Sequence, residues 1–291
     1  MFKYLVYKLG QFVVRRLSLQ NAYRSAVFLS DLHYYMSFRD RRAVKNNLAV
    51  ILPEGSDLDQ AAREVFRNFG KYLVDFFRMA SEIDSAWIQE RVKLENVDRI
   101  RDALAKGRGA IVMTAHLGNW ELGSVLLGCL GYPLMAIALP HKERPVNELF
   151  NQQRQFRGVS VIPTHHAVRR SLAALHENKI VAVVADRAFS ASGEVLDFFG
   201  KKMLFPKGPA ILAAKMQTPI IPTFLVRDEN DDFRLIVEEP IYPPAVDPSA
   251  GEVSRDVVIK ILKDCAAVIE KKVRAYPRQW LMFRKFWIDE T

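Results

Sequence analysis

Cysteine is scarce in this sequence of 291 residues: there are two, Cys129 and Cys265. They lie far apart and lack the paired spacing of a zinc site, and two thiols do not make a disulfide framework. The simplest reading is two buried thiols in a reducing compartment. Acidic side chains are also in deficit. Lys and Arg number 42 against 33 Asp and Glu, a formal net charge of +9. A surface of this sign suits an anionic partner: nucleic acid, an anionic membrane or an acidic carrier. Nucleic acid is disfavoured by further absences, since there is no RNP-type aromatic motif, zinc finger or glycine-rich P-loop. Nor is there an HExxH stretch or a Cys–His set with metal spacing, so a metal hydrolase is not indicated. The adjacent His165 and His166 follow Thr164 and are expected to open a helix rather than share a metal.

Long apolar runs are few. Residues 122–141 carry no charge, and a spanning helix needs about 20 such residues. Gly128, Gly131 and Pro133 interrupt the run, which reads as a buried helix, a turn and a buried strand. The amino-terminal MFKYLVYKLGQFVVRRLSLQ is broken by Lys3, Lys8, Arg15 and Arg16 and shows no secretory signal.

What is present is a chain 49% hydrophobic and 26% charged, the balance of a soluble or peripheral globular protein with a large core. Its organisation falls into residues 1–80, a helical segment, and residues 81–291, an α/β core continuous with it. In the first helix Phe2, Leu5, Val6, Leu9, Phe12 and Val13 repeat at helical spacing and make one apolar face flanked by Lys and Arg. Such a face either packs on the core or lies in a membrane interface. A basic cluster, Arg39, Arg41, Arg42 and Lys45, precedes the stretch NNLAVILP, and a further helix is expected from about Leu58 to Met79. From Gly109 the pattern changes. Short β-type runs, GAIVMTA, PLMAIAL, VSVIPT, IVAVVAD, PIIPTFLV and FRLIVEE, alternate with helices that begin near Gly118, Pro145, Ala167 and Gly208. The alternation argues for a mixed, largely parallel sheet flanked by helices. The stretch YPPAVDPSAGEVS is a loop ahead of a closing helix, about Ser254 to Arg274.

One junction concentrates chemistry. In 111-IVMTAHLGNWELGS-124 an apolar strand ends in His116, and a helix starts near Gly118 with Glu121 in its first turn. Functional groups collect at the carboxyl ends of strands in α/β sheets, and a helix start offers free N–H groups and partial positive charge. A histidine there can take a proton near neutral pH. A carboxylate on its other ring nitrogen fixes the tautomer, and Glu121 is the acid nearest in sequence. Asn119 supplies a further hydrogen-bonding group beside it.

These residues carry a resemblance. His116, four residues, then Glu121 within HLGNWE resembles the motif of the lipid A late acyltransferases, in the wider group of glycerolipid and lysophospholipid acyltransferases. Other blocks follow in the same order: NNLAVILP, RPVNELFNQQRQFRG, VVADRAFSASGEVLDFFGKKMLFPKGPAILAA and PRQWLMFRKFW. The resemblance covers nearly the whole chain. It implies transfer of a fatty acyl chain from an acyl carrier protein or CoA thioester to a hydroxyl of a membrane glycolipid such as a lipid A precursor, with no metal or tightly held cofactor. His116 would be the general base and Glu121 its partner. Asp186 and Arg154 match the downstream acid and arginine, with Arg157 a rival for the second. Arg187, Lys207 and Gly208 fall in the same blocks as substrate-binding or supporting positions, and Lys201 and Lys202 are placed to meet a phosphate. The implied location is the cytoplasmic face of a bacterial inner membrane, reached peripherally or through a single amino-terminal anchor, with residues 1–80 docking on its anionic surface.

Arg187 is a departure, since many lipid A enzymes carry Gln after the downstream acid. Asp-Arg followed by FFG resembles the phosphatidylinositol mannoside acyltransferases, which tend to have Asp in place of Glu121. The acceptor therefore stays open between a lipid A precursor, a mannosylated phosphoinositide and a lysophospholipid, and a non-catalytic membrane-associated protein on the same fold stays open beside them. The thioester reaction itself needs a base, oxyanion donors and an apolar slot for the chain, for which the uncharged residues 122–139 are the candidate lining. Each buried methylene of an acyl chain contributes about 0.8 kcal/mol.

Overall fold

Four helices open the chain: α1 (Phe2–Arg16), α2 (Leu19–Met36), α3 (Phe38–Ile51) and α4 (Leu58–Glu82). The computed structural model describes residues 2–155, 158–188, 193–246 and 252–288. Local chemistry sets the helix starts. The Ser18 hydroxyl accepts from Asn21 N–H ahead of α2, and the Asp57 carboxylate accepts from Asp59 and Gln60 N–H ahead of α4. On α2 and α4, Arg63 and Arg67 grip Asp31 in two bidentate pairs, which hold its carboxyl well below the usual range.

Next come α5 (Ser85–Arg91), β1 (Val92–Glu95) and α6 (Asp98–Leu104), of which the short strand was not foreseen. The alternating region follows as β2 (Ala110–Thr114), α7 (Trp120–Cys129), β3 (Leu134–Ala138), α8 (Arg144–Gln155), β4 (Ser160–Pro163), α9 (Ala167–His176) and β5 (Ile180–Val184). A hairpin of β6 (Gly193–Phe198) and β7 (Lys201–Pro206) leads into α10 (Gly208–Met216), then β8 (Ile220–Arg227), β9 (Phe233–Val237) and α11 (Arg255–Ala275). All six β-type runs of the sequence are strands. His165 and His166 sit in a 3-10 turn before α9, and the expected loop at 242–254 lies partly outside the described residues.

The main sheet has seven strands in the order β1-β9-β8-β2-β5-β3-β4. Every neighbouring pair is parallel except β8 with β9. Alternation along β2 shows why helices cover both faces. Ile111 and Met113 enter one core with α9, α10 and α11, while Ala110 and Val112 enter the other with α4, α7 and α8. α4 belongs to this second core through Phe76, Phe77 and Met79, so the helical segment is welded to the sheet.

α1 does the opposite of burying its apolar stripe. Tyr4, Tyr7 and Val14 turn inward with Gln11, while Leu5, Val6, Leu9, Phe12 and Val13 point to solvent, Phe12 at 57% exposure. The side chain of Phe2 lies outside the described residues. α2 adds Phe28, Leu29, Leu32, Tyr35 and Met36 to the exposed apolar set. Among the described residues no helix is long and apolar enough to cross a membrane.

Candidate active site

The register of the central strands assembles the site. Thr114 on β2 lies opposite Val184 on β5, and the ladder continues with Ala185 N–H donating to Thr114 C=O at 2.9 Å. His116 and Asp186 each stand two residues past that pair, side by side at the carboxyl end of the sheet. Imidazole Nδ1 lies 2.7 Å from Asp186 Oδ1, and the His116 backbone N–H donates to Oδ2 at 2.9 Å. Trp280 Nε1–H donates to the same Oδ2 at 3.0 Å. Asp186 is fully buried. Burial raises its carboxyl pKa, but the contacts from His116 and Trp280 outweigh that and hold it below the usual range. The His116 side chain remains 19% exposed. With Nδ1 against Asp186, Nε2 is the ring nitrogen that Asp186 does not hold.

This corrects the pairing expected from sequence. Glu121 does not hold His116; it accepts from Arg154 Nε at 2.7 Å and from Nη2, and both side chains are buried. The reason is helical geometry. α7 starts only at Trp120, so His116 lies on the strand side of the turn while Glu121 lies in the first turn of the helix and meets α8. Burial works against the charge on Arg154, but Glu121 outweighs it and keeps the guanidinium above its usual pKa. Arg157 lies outside the described residues.

The turn between strand and helix is fixed by its neighbours. Gly118 has φ +63°, and a Cβ there would sit 2.0 Å from the Leu225 carbonyl oxygen, so no other residue fits. Gly118 N–H donates to Gln279 C=O, Asn119 N–H to Leu225 C=O, and Leu281 N–H to His116 C=O. Trp120 stacks on Tyr72 of α4 at 4.7 Å and presents its ring to His116 at 4.9 Å.

This dyad geometry stands in a chain of which residues 2–288 match the model for bacterial lipid A biosynthesis acyltransferases. The chain belongs to this family. It is 27% identical over 292 residues to a phosphatidylinositol mannoside acyltransferase of Mycolicibacterium smegmatis, covering 98% of this chain and 91% of the relative. A lipid A biosynthesis palmitoleoyltransferase of Escherichia coli is 22% identical over 258 residues, covering 85% of this chain and 78% of the relative. The protein is thus an acyltransferase of the group that spans these two kinds of enzyme.

The remaining expected positions separate into those at the His116–Asp186 dyad and those away from it. Asn119 is turned inward: its Oδ1 caps α7 by accepting Leu122 N–H at 3.1 Å, and its Nδ2 donates to Asp75 Oδ2 at 2.9 Å. It supports the site and, being buried, does not reach outward. Asp75 also accepts from Tyr23 O–H at 2.6 Å and from Arg227 Nη2. Burial lifts the Asp75 carboxyl above its usual pKa, against the pull of Arg227, Tyr23 and Asn119. This network ties α2, α4 and β8 to the residue three places after the histidine. Asn119→Ala is expected to destabilise the fold by about 0.5–2 kcal/mol through the lost cap, read as a lower denaturant midpoint. An unchanged midpoint would show that the cap carries no weight.

Arg187 is half-buried beside Asp186, and burial together with the Arg284 charge lowers its pKa. Lys207 and Gly208 begin α10, where Lys207 acts on Glu194 of β6. Among the described contacts none joins either residue to the dyad. Lys201 and Lys202 are exposed on the hairpin, Lys202 paired with Asp197 at 2.8 Å. Of the candidate acyl lining at residues 122–139, Leu122, Val125, Leu126 and Leu127 are packed in the core, while Met135 to Ala138 are partly buried and Leu139 is exposed. Trp280, Asp75, Arg227 and Gln279 were missed. Trp280 lay within a recognised block, but nothing in its spacing tied it to Asp186.

Proposed function

We propose that the protein moves a fatty acyl chain from an acyl carrier protein or CoA thioester to a hydroxyl of a membrane glycolipid, with His116 as general base. The His116–Asp186 dyad at the open end of the sheet is the observation that carries this reading. Asp186 accepts from Nδ1–H, so Nε2 is free to take the proton of the acceptor hydroxyl. The hydroxyl oxygen attacks the thioester carbon as that proton leaves. The tetrahedral oxyanion forms near the amino-terminal end of α7, whose partial positive charge favours it. The C–S bond then breaks, and the imidazolium returns its proton to the departing thiolate. No covalent enzyme intermediate is required, and no metal or bound cofactor enters the scheme. The partly open histidine favours catalysis over the non-catalytic alternative.

The acceptor is a lipid A precursor or a mannosylated phosphoinositide, and the relatives of both kinds support that pair. The test is transfer from labelled carrier-protein thioester and from acyl-CoA to a panel of the two glycolipids and a lysophospholipid. Product with one glycolipid upholds the reading. Transfer to lysophospholipid alone replaces the acceptor, and transfer to none of them by folded, vesicle-bound protein overturns it.

Docking is proposed at the cytoplasmic face of a bacterial inner membrane, through the outward apolar face of α1 and its neighbours on α2. Lys3, Lys8 and Arg16 flank that face, and each well-placed cation contributes about 1 kcal/mol on an anionic surface. Leu9→Glu with Phe12→Glu is expected to reduce sedimentation with anionic vesicles at least about tenfold, with residual binding lost on adding salt. Sedimentation equal to the parent protein would remove α1 from the docking surface.

A further inference from the structure

A cavity of about 1270 Å³ lies away from the apolar positions first considered. It lies between α3 and the segment 283–285, and its lining is strongly one-signed. Arg39, Arg41, Arg42, Lys45, Arg284 and Lys285 face it against a single acid, Asp40. Lys45 pairs with Asp59 at 2.7 Å, and Asp40 lies 3.4 Å from His33. Arg39, Arg42 and Arg284 have no carboxylate partner among the described residues. Such a concentration of like charge opposes itself unless an anion enters.

The two walls are clamped together. Asn47, buried on α3, donates through Nδ2 to the carbonyls of Met282 at 3.0 Å and Arg284 at 2.7 Å, and accepts from Phe286 N–H at 3.3 Å. One wall also runs straight to the dyad. Leu281 N–H holds the His116 carbonyl at 2.7 Å, and Arg284 follows three residues later, so its Cα lies within about 11 Å of Leu281. Arg284 also acts on Arg187, the residue next to Asp186.

We propose that this cavity receives the phosphate-bearing arm of the acyl-thioester donor, an inference that rests on the acyl-transfer function proposed above. Three features select that ligand. The cation excess calls for several negative charges, which a lone phosphodiester of a lipid headgroup does not bring. CoA carries a diphosphate and a phosphomonoester, and a carrier protein adds acidic side chains to its phosphopantetheine phosphate. His116 does not line the cavity, so a ligand that serves both needs a flexible spacer between phosphate and thioester, and the pantetheine arm is such a spacer. Finally, guanidinium forks match phosphate oxygens in bidentate geometry, and four of the six cations are arginines.

The experiment uses the full-length protein and two exposed single substitutions, Arg42→Ala and Arg284→Ala. Binding of CoA, of holo acyl carrier protein and of vesicles containing phosphatidic acid is measured for each, and also for His116→Ala. Each arginine substitution is expected to weaken binding of CoA or of the carrier about tenfold. It should raise the donor KM by a similar factor and leave the acceptor KM in place. His116→Ala should bind donor as the parent does. A loss confined to CoA identifies the nucleotide phosphates as the ligand, and a loss confined to the carrier identifies its prosthetic group and acidic surface. Donor binding untouched by both substitutions overturns the assignment. So does a loss confined to phosphatidic acid vesicles or to the acceptor KM, which would make the cavity a lipid-headgroup site. Arginine-dependent CoA or carrier binding by a protein that transfers nothing would uphold the cavity and sink the acyl-transfer reading; transfer with an unmoved donor KM would do the reverse.

Discussion

Replacing His116 by alanine is expected to lower acyl transfer by about 10² to 10⁴-fold. On the proposed mechanism the substitution removes the group that takes the hydroxyl proton, and it removes little else. Asp186 Oδ2 keeps both of its other donors, the His116 backbone N–H and the Trp280 indole, because neither needs the imidazole. Oδ1 alone loses its partner, which costs about 1–3 kcal/mol of stability. The fold should therefore survive, with the denaturant midpoint lowered and vesicle binding intact. Rates within a few-fold of the parent enzyme would end the assignment of His116 as base.

Asp186→Asn is expected to cost on the order of 10²-fold or more, with the loss in kcat and the donor and acceptor KM values in place. The amide can present N–H where the carboxylate accepted, which turns the imidazole to the wrong tautomer. It also withdraws the negative charge beside the ring. The pKa of the Asp186 carboxyl is depressed in the fold, so its stabilising contribution is present above the unfolded carboxyl pKa and fades only as pH falls through the lower folded value. A kcat within a few-fold of the parent enzyme would mean that Asp186 supports the fold without acting on the histidine.

Much of this was legible in the sequence. The six apolar runs became strands because each is short, β-branched and bounded by turn residues. His116 stood out because it ends one of them. What was not legible is pairing across the sheet. His116 and Asp186 are 70 residues apart, and only the Thr114–Val184 register brings them together. Glu121 was close in sequence and therefore tempting, yet one turn of α7 swings it toward Arg154. The outward face of α1 was likewise undecided by periodicity. A helical stripe of apolar residues looks the same whether it meets a core or a bilayer, and here the inward contacts fall to Tyr7, which meets Phe77 and Phe150. Asp75 and Arg227 gave no signal at all, since isolated charges in apolar stretches acquire meaning only from their partners.

The contacts of residues 279–281 bear on how the protein is made. Gln279 receives the Gly118 N–H, Trp280 reaches Asp186, and Leu281 holds the carbonyl of His116. These residues are synthesised after every strand of the sheet. β2 and β5 can pair before then, but His116 gains these neighbours only once residues 279–281 have emerged. A nascent chain halted between β9 and residue 279 would thus carry a sheet without the contacts that hold the His116–Asp186 pair.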